Sequence, residues 1–399
     1  MNYLIFCSFE VGGFPYFMAD VMNKNDIKTY YISIDLKKND HNSTIFHFGE
    51  SLKPWDLSYL FKNHINFYND NYIIKQLRLI KDKYKINKCF ATGRKSYLLS
   101  KAGMDYFYWS YGSDLDQQCF KFIVPFNYPL WKKTIHYLPF LLKTRFEARS
   151  SLLNAKKLMI APYQINKLKK LKMHKKELFF LPHIVNNIED FESILAKKQE
   201  AKRIICNRIK APRFFFSSTR HIWNGYLKYE SDNKGNDIAI LSFKKYLEIS
   251  SDYDSKLILI EKGQDIEDSK TLIKEKCLDK NIIWVKELKR SDLDIWYQGA
   301  EICLGQFATP VLAYSAIEPL AKATPCISYY YEDNNDIIPF YAELPPVFNS
   351  KNTEEIAYFM ANILKDEHYY NDLSYKSWLW IKNNCSEINF INSFVNLYN

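Results

Sequence analysis

Several features that are common in proteins are missing from this sequence. It has only eleven glycines among 399 residues and no G-x-G-x-x-G run, so the usual dinucleotide-binding fingerprint is absent. The eight cysteines form no C-x-x-C pair, and several stand inside apolar runs. We therefore expect reduced core cysteines in a cytosolic protein. No apolar run approaches the roughly 18 residues that a membrane span needs.

The amino terminus also lacks the basic region that opens a signal peptide. Its first residues, MNYLIFCSFEVGG, place no lysine or arginine ahead of the apolar stretch. This pattern predicts a first β-strand and a cytoplasmic protein.

The composition is that of a folded chain with a basic balance. Hydrophobic residues make up 47% of the sequence, and its length predicts two or three domains. The formal net charge of +10 favours an anionic partner, such as a nucleotide, a nucleic acid or an acidic lipid surface.

The most informative stretch is 301–330, EICLGQFATPVLAYSAIEPLAKATPCISYY. Two short apolar runs, Ile302–Phe307 and Pro325–Tyr330, predict buried strands. Between them, the turn Ala308-Thr309-Pro310 precedes a segment with small residues at helical spacing. The whole stretch predicts one parallel strand–helix–strand crossover, with a helix start that suits a phosphate.

Glu318 is the one carboxylate inside this predicted helix. A buried carboxylate needs partners, and the hydroxyls of a ribose are suitable ones. A plain core helix with Glu318 at its solvent edge fits the same pattern.

The run IEPLAKATPCIS resembles the carboxyl-terminal signature E-A-L-A-x-G-x-P-V-I of family-four GT-B glycosyltransferases, the bacterial surface-glycan type. The resemblance implies an α/β GT-B fold, in which two Rossmann-like domains face each other across a cleft and a carboxyl-terminal helix returns to the first domain. The resemblance also implies that Glu318 binds the ribose of the nucleotide. It also implies a hexosyltransferase that moves a sugar from a nucleotide-diphosphate donor to a glycan or lipid-linked glycan, as in lipopolysaccharide or capsule synthesis. Retention of stereochemistry is implied as well, but Pro310 stands where the family has a sugar-contacting glutamate.

The resemblance extends to a diphosphate site after the predicted strand Arg213–Ser218. Arg220 and the pair Lys234-Gly235 resemble the family's diphosphate-binding residues. A guanidinium and an ammonium neutralise the roughly two negative charges of a diphosphate as it leaves. Lys228 is a rival for Lys234, and a solvated loop is the other interpretation.

Two further loops follow predicted strands of the same half. Lys262 comes directly after the strand Lys256–Ile260, at the sheet edge where ligands bind, and is a further phosphate candidate. The resemblance implies that residues after the strand Ile282–Val285, including Leu288, contact the base of the nucleotide.

The amino-terminal half offers two candidate loops. Gly12 and Gly13 follow the first strand, and they form either a tight connection or a ligand loop, which the resemblance places at the acceptor or the donor phosphate. Tyr111-Gly112-Ser113-Asp114-Leu115 resembles the family's H-G-S-D-L, with Tyr111 in place of the histidine. Since a phenol is a poor base at neutral pH, we expect Asp114 to do the catalytic polar work. A helix N-cap is the alternative for Asp114.

Two segments raise the question of a membrane surface. Residues 126–142, FNYPLWKKTIHYLPFLL, mix aromatics, leucines and cations as interfacial helices do, although Pro129 and Pro139 are expected to interrupt a continuous helix. An ordinary core segment fits as well. Ile165–Lys176 has six lysines in its last ten residues, which suits a solvated face or anionic head groups. Nucleic acid fits less well, because no aromatics are interleaved with the lysines.

We place the amino-terminal acceptor domain at 1–210, joined by the tail 376–399, and the nucleotide-sugar domain at 211–375. Three D-x-D triplets occur, at 114–116, 252–254 and 292–294. We expect none of them to hold a metal, because positive side chains supply the charge instead. We expect no cofactor beyond the nucleotide-sugar substrate. A GT-B-shaped nucleotide-sugar epimerase and a non-catalytic module at a membrane or nucleic acid are the alternatives.

Overall fold

The computed structural model describes residues 1–8, 13–34, 53–61, 69–110, 115, 119, 130–173, 175–185, 187–224, 232–330, 341 and 343–398. The chain divides into two compact units. The first comprises Met1–Leu181 and Ser393–Asn399, and the second comprises Pro182–Asn392. None of the helices in these ranges combines the length and apolar character that spanning a membrane requires.

The first unit contains a parallel six-stranded sheet in the order β2-β1-β3-β4-β5-β6. Its strands are β1 (Tyr3–Cys7), β2 (Thr29–Ser33), β3 (Lys88–Thr92), β4 (Tyr106–Trp109), β5 (Lys157–Met159) and β6 (Glu177–Leu178). The helices are α1 (Phe14–Lys24), α2 (Asp70–Tyr84), α3 (Tyr97–Lys101), α4 (Leu130–Asn154) and α5 (Ile165–Lys170).

Helix α4 differs from the prediction, because it runs for 25 residues straight through Pro139. A proline inside a helix removes one backbone hydrogen bond and costs about 3 kcal/mol. The following turns offset that cost, since Leu141, Ala148 and Leu152 are all buried against the unit. The expectation that Pro139 interrupts the helix was therefore wrong.

The second unit contains another parallel six-stranded sheet, in the order β12-β11-β10-β7-β8-β9. Its strands are β7 (Phe214–Ser217), β8 (Lys256–Glu261), β9 (Ile282–Lys286), β10 (Cys303–Leu304), β11 (Cys326–Ser328) and β12 (Val347–Asn349). The helices that follow α5 are α6 (Phe191–Ile209), α7 (Asn236–Ser250), α8 (Ile266–Glu275), α9 (Arg290–Gly299), α10 (Tyr314–Ala321), α11 (Thr353–Ile363), α12 (Glu367–Asn384) and α13 (Glu387–Tyr398).

Both sheets are built from short apolar strands that helices cover on their faces. In β7, the residues Phe214, Phe215 and Phe216 are all fully buried. Phe215 packs in one core cluster and its two neighbours in another, as expected for a strand with helices on both sides. The predicted α/β class with two Rossmann-like halves is confirmed.

The first unit ends at Leu181 and the second begins at Pro182, whereas the expected boundary lies at residue 210. Helix α6 lies in the second unit, where a Cβ on Gly299 of α9 would be 3.1 Å from the carbonyl carbon of Ala201. The chain then finishes in the first unit. Phe394 of α13 is fully buried beside Tyr3 and Phe90, and the ring of Tyr398 stacks on Phe107 at 4.4 Å. The predicted return of the last helix to the first unit is confirmed.

Candidate functional site

The order of the second sheet defines where a ligand would bind. Strand β7 lies between β8 and β10, and the chain leaves it first toward β8 and later toward β10. Open parallel sheets bind ligands outside the carboxyl ends of the two strands at such a reversal. The segments after β7 and after β10 therefore form the candidate site.

Backbone hydrogen bonds bring the Lys234 segment between these two strand ends. The N–H of Lys234 donates to the carbonyl of Ile222 at 2.6 Å, and the N–H of Phe307 donates to the carbonyl of Lys234 at 2.8 Å. The hydroxyl of Thr309 donates to the carbonyl of Asn233 at 2.8 Å. Lys234, Gly235 and Thr309, which were singled out separately in the sequence, thus lie in one place.

The Lys234 ammonium lies in an environment that suits an anion. It donates to the Gln306 side-chain oxygen at 3.2 Å. Burial, together with the nearby Arg220 guanidinium, lowers the pKa of Lys234 to about 8. Two cations that repel each other at the carboxyl edge of a sheet are stabilised by a bound anion.

Gln306 also holds the loop after β10. Its amide nitrogen donates to the carbonyls of Thr309 and Val311, at 3.0 and 2.9 Å, and the side chain is only 3% exposed. The same side chain therefore fixes the Lys234 ammonium and the turn that contains Pro310.

Gly235 precedes helix α7 with a left-handed φ of 65°, and a Cβ there would lie 3.0 Å from the Ala308 nitrogen. The glycine therefore lets the start of α7 approach the loop after β10. Asn236, the first residue of α7, donates through its side chain to the Thr219 hydroxyl at 3.1 Å and accepts from the Ile222 N–H at 3.1 Å. The positive end of the helix dipole at this helix start favours a phosphate.

Glu318 of α10 reaches the same end of β7 through a tyrosine. The Tyr297 hydroxyl donates to Glu318 Oε2 at 2.9 Å and lies 2.8 Å from Ser218 Oγ, directly after β7. Burial, followed by the charge of Glu318, raises the pKa of Tyr297 well above its ordinary value, so this phenol stays a neutral donor. The half-buried carboxylate is thus fixed close to the segment that carries Arg220.

Lys262 directly follows β8, at the carboxyl edge of the sheet beside the segment that carries Arg220. Its ammonium pairs with the carboxylate of Glu287. Its carbonyl accepts from the His221 N–H at 2.7 Å. A Cβ on the next residue, Gly263, would lie 2.4 Å from the His221 carbonyl oxygen, so the contact requires glycine. Burial lowers the pKa of His221 to about 4, which keeps that imidazole neutral. The assignment of Lys262 to a phosphate stays a prediction.

The remaining predicted residues are spread more widely. Leu288 follows β9 and packs against the core cluster that contains Phe214. Gly13 begins α1 with a φ of 72°. Three other predicted residues lie outside the described residues, namely Gly12, Tyr111 and Asp114. Lys228, the rival of Lys234, lies outside them as well.

One aspartate in each of two D-x-D triplets has structural partners. Asp252 accepts from Tyr246 and Ser255 and pairs with Arg213 at 3.3 Å. Asp294 pairs with Lys322 at 2.7 Å. Within the described ranges, no group of three or more histidines, cysteines or acids is arranged to hold a metal ion.

The sequence reasoning missed four side chains of this site: Ser218, Asn236, Tyr297 and Gln306. Asn236 and Gln306 adjoin predicted elements and could have been found there. Tyr297 stands 21 residues before Glu318, so only folding shows that they meet.

Comparison with known proteins gives the class of fold. No protein-family model matches the sequence, and neither does any curated protein. Among solved structures, Anabaena HepE in complex with UDP-glucose has a TM-score of 0.66 and 10% identity, over 100% of this chain and 99% of that one. Sucrose-phosphate synthase from Thermosynechococcus elongatus has a TM-score of 0.61 and 13% identity, over 100% and 98%. A glycosyltransferase from Rickettsia africae has a TM-score of 0.60 and 15% identity, over 100% and 98%.

These neighbours share one architecture over essentially their whole length. The chain therefore has the GT-B fold, as the resemblance in residues 317–328 implied. Its structural neighbours include enzymes of bacterial surface glycans, such as a lipopolysaccharide outer core galactosyltransferase, WaaB, with a TM-score of 0.56 and 11% identity over 99% of this chain and 98% of that one.

Proposed function

We propose that this protein is a glycosyltransferase that moves a sugar from a nucleotide-diphosphate donor to a glycan or lipid-linked glycan acceptor. One observation carries the proposal. The structure groups two cations, Arg220 and Lys234, with a helix start at the switch point of the second sheet, and it fixes Glu318 near the same strand end.

The cationic side suits the leaving diphosphate. When the sugar–phosphate bond breaks, negative charge grows on the diphosphate, and a preorganised ammonium and guanidinium stabilise it without reorganising. Gly235 leaves room for close backbone approach at the start of α7. HepE, whose structure holds UDP-glucose, supports a donor of this chemical class.

The acidic side suits the ribose. A carboxylate accepts hydrogen bonds from two neighbouring hydroxyls, and Tyr297 holds Glu318 in one orientation by donating to Oε2. The distribution of charge in the site therefore complements a nucleotide, with cations toward the phosphates and a hydrogen-bond acceptor toward the sugar ring.

The finer parts of the proposal concern mechanism and context. We propose a metal-independent hexosyl transfer with retention, in which Asp114 and Tyr111 serve the reaction from the first unit. The acceptor belongs to a bacterial surface glycan, such as lipopolysaccharide or capsule, and the enzyme works in the cytoplasm at the inner face of the membrane. EDTA should leave the rate of sugar transfer unchanged if no metal takes part.

The test is nucleotide binding by the whole protein. UDP and GDP are compared by thermal shift and calorimetry for the wild type, Glu318→Ala and Lys234→Ala. Glu318→Ala should weaken binding, and Lys234→Ala should weaken both binding and turnover. If neither substitution changes nucleotide affinity, the site assignment fails.

The same measurements separate the alternatives. A non-catalytic module without a donor pocket should show no rise in melting temperature with any nucleoside diphosphate. An epimerase would bind the donor and change the sugar on the nucleotide without needing an acceptor. Product analysis of several nucleotide sugars, with and without glycan acceptors, distinguishes it from a transferase.

A further inference from the structure

Asp265 directly precedes α8, but its carboxylate does not cap that helix. An aspartate in this position ordinarily accepts from the first turn of its own helix. In α8, which lies wholly within the described residues, no N–H of the first turn donates to the Asp265 side chain. Instead, Asp265 Oδ2 accepts from the backbone N–H groups of Trp223 and Asn224, at 2.8 and 2.9 Å. The carboxylate thus binds residues 220–224, which we call the arginine loop.

These bonds form away from water. Asp265 is only 6% exposed. Hydrogen bonds to an ionised acceptor are about twice as strong as neutral ones, and a buried setting strengthens them further. The N–H of Asp265 also donates to the carbonyl of His221 at 3.0 Å. Three hydrogen bonds therefore join this one residue to the arginine loop.

A serine one turn into α8 holds the same loop through its side chains. Ser269 Oγ accepts from Trp223 Nε1 at 2.8 Å and lies 2.8 Å from His221 Nδ1. The hydroxyl donates to the Asp265 carbonyl at 3.0 Å. Ser269 and His221 are both fully buried. The start of α8 therefore holds the arginine loop through two of its residues.

The other two N–H groups of the loop also have partners. Ile222 donates to Asn236 Oδ1 at 3.1 Å, and His221 donates to the Lys262 carbonyl at 2.7 Å. The four successive N–H groups of residues 221–224 are thus all bound by groups outside the loop. The backbone that follows the candidate guanidinium is therefore fixed at every residue.

Arg220 needs such support because its neighbour in the site is another cation. Burial, followed by the Arg220 guanidinium, lowers the pKa of Lys234. Like charges repel, so without a bound anion the arginine loop is driven away from Lys234. Hydrogen bonds that fix the loop oppose this repulsion. A cation pair that is already assembled binds a diphosphate without the cost of ordering the site first.

From these observations we infer that Asp265 is a positioning residue, which holds the Arg220 guanidinium beside Lys234 for the diphosphate of the donor. The inference rests on the proposed function. In this role Asp265 contacts the arginine loop and not the substrate. The loop requires an oxygen that accepts two N–H groups, whereas the negative charge of Asp265 opposes the binding of an anion.

The experiment measures the binding of pyrophosphate and of UDP to the full chain by calorimetry. In Asp265→Ser, the hydroxyl can still cap α8, but the shorter side chain gives up the bonds to Trp223 and Asn224. Both ligands should bind about tenfold more weakly, because the arginine loop is no longer fixed. Asp265→Asn keeps an acceptor oxygen and removes a charge, so it should bind pyrophosphate at least as tightly as the wild type.

A double variant shows whether the loss passes through Arg220. In an Arg220→Ala background, adding Asp265→Ser should change pyrophosphate affinity by less than about twofold, because the guanidinium to be positioned is gone. The matched control is Asp366→Ser, since Asp366 caps its own helix by accepting from the Tyr369 N–H at 2.9 Å. This control should bind pyrophosphate like the wild type, and melting curves check that each variant is folded.

Three results would overturn the inference. Asp265→Ser could bind pyrophosphate as tightly as the wild type although Arg220→Ala binds it weakly. Asp265→Ser could weaken binding equally with and without Arg220, in which case the carboxylate serves the fold. Asp265→Asn could lose as much affinity as Asp265→Ser, although it keeps the acceptor oxygen. If neither Arg220→Ala nor Lys234→Ala weakens pyrophosphate binding, the proposed diphosphate site fails, and the role of Asp265 fails with it.

Discussion

The ammonium of Lys234 lies beside the Gln306 oxygen and near the Arg220 guanidinium, where its pKa is lowered to about 8. A diphosphate favours the charged form of the lysine, so binding raises this pKa again. Affinity for UDP or GDP should therefore be level below pH 8. It should fall with rising pH above that value, by up to about tenfold per pH unit.

Calorimetry between pH 7 and 9.5 in buffers of different ionisation enthalpy measures this linkage. Proton uptake on binding should be greatest near pH 8 to 9. In Lys234→Arg the charge persists across the range, so both the decline in affinity and the proton uptake should disappear. An identical pH profile in that variant would contradict the assignment of Lys234.

Gly235 is the second residue whose surroundings allow a quantitative prediction. Alanine would be strained at its φ of 65°, and its Cβ would meet Ala308 and Phe307 at 3.0 Å. We expect Gly235→Ala to lower the free energy of unfolding by about 2 kcal/mol and to weaken nucleotide binding.

Gly103 provides the control for backbone strain alone. Its φ is 75°, but the nearest atom to an added Cβ is the end of the Lys81 side chain at 3.7 Å. Gly103→Ala should cost only about 1 kcal/mol in urea unfolding and leave nucleotide affinity intact. Equal effects of the two substitutions would show that the contact between Gly235 and the Phe307 loop does not matter.

At the scale of elements, the pairing of α9 with α10 fixes the carboxylate of the site. Tyr297 of α9 donates to Glu318 of α10, and the Thr324 hydroxyl donates to the Tyr297 carbonyl at 2.7 Å. Tyr297→Phe keeps the packed ring and removes only the hydroxyl. We expect UDP or GDP to bind about five- to tenfold more weakly, because Glu318 loses its orientation.

Pyrophosphate, which has no ribose, separates positioning from general damage. Its affinity should be unchanged in Tyr297→Phe. Tyr246→Phe is the control, since Tyr246 is a buried tyrosine of α7 that hydrogen-bonds Asp252. If Tyr297→Phe weakens pyrophosphate as much as UDP, the hydroxyl serves the fold and not the ribose.

For the whole molecule, the last residues of the chain complete the core of the first unit. Phe394 is fully buried against Tyr3 and Phe90, and the Tyr398 hydroxyl donates to the Cys89 carbonyl at 3.0 Å. Phe394→Ala should destabilise this unit by about 3–5 kcal/mol. Tyr398→Phe, which keeps the stacked ring, should cost about 1 kcal/mol.

Hydrogen exchange resolved along the sequence measures this effect unit by unit. In Phe394→Ala, the amides of β1 and β3 should exchange faster, whereas those of β7 and β8 should keep their wild-type rates. Equal acceleration in both units would show that the last helix stabilises the chain as a whole.

The sequence by itself determined the class of the fold, and it predicted candidate residues for a site in the second unit. Apolar runs of three and four residues, Phe214–Phe216 and Leu257–Ile260, mark β7 and β8, because strands covered on both faces need them. Arg220, Lys234, Gly235 and Glu318 could be proposed as candidates because each adjoins such a run or a recognisable signature. The continuity of α4 through Pro139 could not be predicted, since it depends on the burial of Leu141 and Leu152 against the rest of the unit.

Only the tertiary structure decided which side chains meet. Tyr297 joins Glu318 to Ser218, and Gln306 joins Lys234 to the turn at Pro310, because parallel strands bring distant loops to one edge. The bonds from Asp265 to the arginine loop likewise appear only in the folded chain, because β7 and β8 are neighbours in the sheet. Local sequence specifies the period of an element, whereas contacts between elements depend on the order of strands in the sheet.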